Sequence, residues 1–114
     1  MEMVIDQFDY KQYDIFVFDP NPTKGHEVRK IRPCVIISPD ELNDFLATVI
    51  IAPLTTKVRN FPFRPAIKLG KVSGSIMLDQ IRCIDKSRLT KRIGELPHSA
   101  IMTVKNVLNE MLIE

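Results

Sequence analysis

The chain has 114 residues, 45% of them apolar and 26% charged, with two cysteines and two histidines. This length suits one compact domain spanning 1–114, because two would each be too small to bury a core, and the apolar share argues against disorder. The net charge of +2 hides a central block, residues 21–92, in which 14 Lys/Arg stand against six Asp/Glu.

Met1–Tyr10 carries Glu2, Asp6 and Asp9, with neither a basic region nor a long apolar core, so it does not read as a signal peptide. The longest apolar stretches run to about six residues, against the roughly 20 of a membrane helix. A cytoplasmic protein without membrane association is expected, with Cys34 and Cys83 reduced and structural rather than forming a disulfide framework.

Tyr13–Phe18 is rich in β-formers and predicts a first strand, stopped by the prolines and glycine of Asp19–Gly25. Pro33–Ser38 is a near-continuous apolar run, as expected for a strand covered on both faces. Pro39–Phe45 suits one helical turn, and Thr48–Leu54 a third strand. A short strand near Ala66–Leu69 and a longer one from Ser75 to Ile84 follow, with Gly70 and Gly74 bracketing a connection of four to five residues. Ile101, Val104, Leu108, Met111 and Leu112 then recur at helical spacing, with Pro97 and Ser99 near the start of that helix. Together these elements predict a mainly β fold with one C-terminal helix: a curled antiparallel sheet, or partly open SH3-like barrel, with the helix packed over it.

The Asp19–Arg32 connection is long and polar, and holds Lys24, His26, Glu27, Arg29, Lys30 and Arg32. Long loops on a rigid scaffold favour binding and catalysis. His26 and His98 are the only histidines and the cysteines lack ligand spacing, so no metal site is expected; a phosphate-binding glycine loop and a nucleophile elbow are also missing. What remains is acid–base chemistry beside a cation. Cleaving RNA needs a group to take the ribose 2′-hydroxyl proton, and arginine suits the phosphoryl oxygens through its planar, permanently charged donors. Glu27 and Arg32 offer that pair, although a mixed-charge loop of this kind is more often just a solvated one. The basic mid-chain block fits a polyanionic partner or a solvated face equally. Phe61 and Phe63 stand among Lys57, Arg59 and Arg64, either to stack unpaired bases or to plug the core.

Pro22–Glu27 followed by Arg32–Ser38, then Ala52–Thr56, then Asp79–Arg82 with Asp85, resembles the MazF/PemK family of toxin ribonucleases over nearly the whole chain. The resemblance implies a CcdB-like fold, a homodimer, and metal-independent, cofactor-free, sequence-specific cutting of single-stranded RNA that leaves a cyclic phosphate and a 5′-hydroxyl. It also implies a cognate antitoxin, expected to lay an acidic, initially disordered segment across the RNA groove. By position, Glu27, Arg32 and Thr55 match the family's proposed active-site residues; separately, Lys24, Arg29, Lys57, Arg59, Phe61 and Arg82 are the expected RNA contacts. His26 and Asp79 match the Kid/PemK branch, but Met77 replaces the arginine expected two residues before Asp79. Structural alternatives remain for three of them: Thr55 closing its own turn, Arg32 paired with Asp79 or Glu27, and Asp79 bracing a loop. Two other functions are compatible with such a barrel: a non-catalytic gyrase poison of the CcdB type, and a plain interaction module.

Overall fold

The β-branched and aromatic run after Tyr13 forms β1 (Asp14–Phe18), and the apolar run after Arg32 forms β2 (Arg32–Ile36). The computed structural model describes residues 9–19, 32–57 and 61–113. Then come α1 (Asp40–Phe45), β3 (Thr48–Thr55), β4 (Ala66–Leu69), β5 (Val72–Ile76), β6 (Arg82–Asp85), β7 (Leu89–Glu95) and α2 (His98–Leu108). Short 3-10 turns at Leu78–Gln80 and Lys86–Arg88 flank β6, and α2 continues into a wider π-type turn, Asn109–Ile113.

The strands form an antiparallel sheet ordered β4-β5-β3-β2-β1-β7, with β6 also paired to β3. Strand periodicity gives each face its own core. Cys34, Ile36, Val49 and Ile51 join Phe16, Phe18, Ile84 and Leu89 in one cluster. Val35, Ala52 and Leu54 join Ile15, Ile76, Leu78, Leu96 and Val104 in the other. The second core is the one that α2 covers: Val104 is buried in it, with Ile101, Leu108 and Met111 packed at its margin. Leu112, expected on that stripe, is instead 65% exposed.

Three local expectations are corrected. The Ser75–Ile84 strand is broken into β5, a 3-10 turn and β6. The break has a cause in β3. The Met77 amide donates to the Pro53 carbonyl at 2.8 Å, but Pro53 has no N–H to return, so the ladder cannot continue. β3 therefore pairs with β6 through Thr48–Ile51 and with β5 through Leu54 and Thr55, on either side of that proline. Second, the β4–β5 connection is only the two residues Gly70-Lys71, with Gly70 at φ +60, and Gly74 lies inside β5. Third, β7 was not expected. Only Leu89 of its residues is buried, so apolar alternation gives no sign of it. Pairing to β1 holds it, together with the two-pronged bond from Arg92 to the buried Asp14 carboxylate at 3.0 and 3.2 Å.

Candidate active site

Cys34 of β2 pairs with Pro53 of β3. Two residues further along each strand, Arg32 and Thr55 come level at one end of the sheet and, by the period of two, on one face. Pro33 disfavours a helical backbone at Arg32, which accordingly opens β2 as an extended residue rather than closing the preceding loop. Arg32, Pro33, Leu54, Thr55, Thr56 and Lys57 line an open cleft of about 340 Å³. Arg32 is exposed, and among the described residues no carboxylate lies within ion-pair distance of it.

Two hydroxyls hold the Lys57 backbone at the cleft. The Thr55 Oγ1 accepts the Lys57 amide at 3.2 Å, and the Ser75 hydroxyl donates to the Lys57 carbonyl at 3.0 Å. Thr55 thus closes its own turn, yet accepting one bond leaves its O–H proton available to donate. Thr55 and Ser75 face each other across the β3–β5 pair. Gly74, the next residue, comes so close to β3 that a Cβ there would lie 2.3 Å from the Thr55 carbonyl oxygen. A smaller, partly open pocket beside the cleft shares Pro33, Leu54, Thr55 and Thr56 with it and continues to Ile67, Ser73 and Ser75. Sequence reading missed Ser75 and Gly74, because only the β3–β5 register brings them to Thr55.

A second polar group joins the segment before β4 to the 3-10 turn after β5. Arg64 makes a two-pronged bond to Asp79, Nε to Oδ1 at 2.7 Å and Nη2 to Oδ2 at 2.8 Å. The Arg64 guanidinium beside it holds the Asp79 carboxyl below its ordinary range. Asp79 is therefore engaged with Arg64 and not with Arg32. Arg64 also lies over the Phe61 ring, 5.0 Å from its centroid. Phe61 and Phe63 are 46% and 38% exposed, so neither plugs the core. Arg82 is exposed on β6, where it pairs with Ile51, away from the residues that line the cleft. Met77, where the Kid-like arginine was expected, is buried. Lys24, His26, Glu27, Arg29 and Arg59 lie outside the described residues.

Cys34 is buried and Cys83 exposed, and both are free thiols. Burial pushes the Cys34 thiol up to about 12, the behaviour of a small core hydrophobe.

Comparison with known proteins adds to this geometry. A family model described as the PemK-like, MazF-like toxin of type II toxin-antitoxin systems matches residues 11–112. The Endoribonuclease MazF of Staphylococcus epidermidis is 31% identical over 102 residues, which cover 84% of this chain and 85% of that protein. Its namesake in Staphylococcus saprophyticus subsp. saprophyticus is 30% identical over 102 residues, with the same coverage of 84% and 85%. Among solved structures, a MazE-MazF crystal structure (Form-II) from Deinococcus radiodurans aligns with a TM-score of 0.80 at 24% identity, covering 92% of this chain and 96% of the other. An endoribonuclease in complex with its cognate antitoxin from a mycobacterial species aligns with a TM-score of 0.77 at 21% identity, covering 90% and 93%. These structural likenesses show a shared fold.

Proposed function

Because the chain belongs to the PemK-like, MazF-like toxin family of type II toxin-antitoxin systems, we propose that it is a cytoplasmic endoribonuclease that cuts single-stranded RNA at specific sequences. The observation that carries this reading is the convergence of Arg32 and Thr55 on one cleft, with Lys57 at its edge. RNA carries its own nucleophile, so the protein must only remove the 2′-hydroxyl proton and stabilise charge on a five-coordinate phosphorus. Arg32 offers planar charged donors to the phosphoryl oxygens. The Thr55 hydroxyl donates to a second oxygen, in an orientation set by the Lys57 amide. Glu27 takes the proton, with His26 as the rival base. Attack then expels the 5′-oxygen of the next nucleotide, which takes a proton from solvent, and leaves a 2′,3′-cyclic phosphate and a 5′-hydroxyl, with neither metal nor cofactor needed.

Lys24, Arg29, Lys57 and Arg59 follow the phosphate chain, which makes RNA binding fall steeply with salt, whereas Arg82, away from the cleft, is left out of that path. Two copies pair as a symmetric dimer whose basic loops line one groove. A cognate antitoxin silences the enzyme with an acidic segment that folds as it binds, replacing phosphates by carboxylates and adding apolar anchors. The MazE-MazF complex among the structural relatives supports such a partner.

The test is cleavage of a defined single-stranded RNA by purified protein in excess EDTA, with both new ends mapped. Cuts at a fixed sequence with cyclic-phosphate and 5′-hydroxyl ends are expected. Activity that disappears in EDTA and returns with magnesium would overturn the mechanism.

A further inference from the structure

We propose that Phe61, Arg64 and Asp79 form a nucleobase-stacking subsite, in which Asp79 holds the Arg64 guanidinium against the Phe61 ring and so presents that ring to an unpaired base of the RNA. The inference rests on the ribonuclease reading and assigns Asp79 a positioning role in place of proton transfer.

Three observations carry it. First, Arg64 is committed twice, to both Asp79 oxygens at 2.7 and 2.8 Å and to the Phe61 ring at 5.0 Å. A guanidinium whose charge is met by a carboxylate is a poor phosphate clamp, but its rigid plane is a good support for an aromatic ring. Second, Phe61 keeps 46% of its surface exposed although it is held in place. A fixed ring loses little entropy when a base stacks on it, and stacking is tolerant of base identity because every base has a π-face.

Third, the group is tied to the cleft through consecutive residues. The Ile76 amide donates to the Pro65 carbonyl at 2.9 Å, and the Met77 amide donates to Pro53 at 2.8 Å, two residues before Thr55. The loop that carries Phe61 is thus anchored to the same β3 end as the cleft. Phe63 holds φ +66 in that loop, a conformation that bulky side chains avoid and that persists only where the surroundings impose it. Asp79, already occupied by two charge-assisted bonds, is badly placed to accept a proton from a ribose hydroxyl.

The experiment uses the full chain and a single-stranded RNA whose cut site has been mapped. Steady-state cleavage is measured for Phe61→Leu, Phe61→Trp, Arg64→Lys and Asp79→Asn. A companion oligonucleotide, 2′-deoxy at the cut position and therefore uncut, carries 2-aminopurine at each flanking position in turn. The wild type should quench the fluorescence at one position. Phe61→Leu should abolish that quench and raise KM by about tenfold or more while kcat holds, and Phe61→Trp should restore both. Arg64→Lys and Asp79→Asn should move KM and the quench in the same direction, since each loosens the ring. If Asp79→Asn lowers kcat by about 10²-fold or more at unchanged KM, Asp79 is a proton-transfer group and the subsite is wrong. If Phe61→Leu leaves both readouts at the wild-type level, the ring is no platform. Wild-type protein that cuts no RNA overturns the ribonuclease reading and the subsite with it.

Discussion

Gly74→Ala is a one-methyl test of how tightly β5 is seated on the cleft. In an ordinary strand this change is neutral or helpful, because alanine loses less backbone entropy on folding; compatible Gly→Ala changes stabilise by about 0.4–1 kcal/mol. Here the new Cβ would lie 2.3 Å from the Thr55 carbonyl oxygen and 3.2 Å from its carbon, whereas real Cβ contacts almost never fall under 3.0 Å. The strands must therefore part by about 0.7 Å, the shortfall between those two distances. Both obstructing atoms are backbone, so no side chain can rotate away. Overpacking of this kind costs about 1–3 kcal/mol, which for a domain of this size lowers Tm by roughly 4–15 °C. The displacement also reaches the site. The facing pair Thr55–Ser75 and the Ser75–Lys57 bond transmit it to the Thr55 hydroxyl and the Lys57 backbone. Misplacing a catalytic group by about 1 Å can cost 10²-fold in rate, so cleavage should fall by roughly 10- to 100-fold. Thermal unfolding by circular dichroism gives the first number, and RNA cleavage at 20 °C below the variant's Tm gives the second. A Gly74→Ala protein as stable as the wild type and fully active would refute the close-approach argument.

Arg32→Ala should reduce cleavage by about 10²-fold or more with Tm nearly unchanged, because the side chain is exposed; lysine should rescue only in part, and normal cutting by the alanine variant would remove Arg32 from the mechanism. With Glu27 as the base, Glu27→Gln should be far more damaging than His26→Gln, and activity should hold well above pH 7; a rate that titrates near pH 6–7 and depends on His26 would reverse the assignment. A thiol reagent at pH 8 should modify Cys83 in the native protein and reach Cys34 only after unfolding, since Cys34 is buried with its thiol pushed up to about 12; mass spectrometry showing two modified thiols in the folded protein would contradict this. Arg64 lowers the folded-state value of Asp79 below its ordinary 3.8, so the contribution of the pair is complete above that value and is lost as pH falls through the folded one. Asp79→Asn should therefore differ from the wild type in Tm near neutrality and converge with it only below about pH 4. A difference that closed between pH 5 and 7 would point to another group.

Several features of this protein were determined locally and are legible in its sequence. The apolar run after Arg32 predicts a strand covered on both faces because every residue in it must be buried, and Cys34–Ile36 are indeed fully buried. The helical spacing of Ile101, Val104 and Leu108 needs no knowledge of the sheet beneath, and Arg32 and Thr55 belong to short stretches whose residue types are distinctive together. Other features depend on pairing between distant segments. β7 is a charged strand held by Asp14, 78 residues from its partner Arg92, so no local alternation marks it. The break after β5 follows from a missing N–H on Pro53, a residue of another strand. Gly74 looks like a turn residue until β5 is set against Thr55, and Asp79 looks like an acid–base group until Arg64 closes on both its oxygens. Local periodicity reports which side of an element is buried; it carries no record of which partner lies opposite, and here the partners decide what Gly74, Ser75, Arg64 and Asp79 can do.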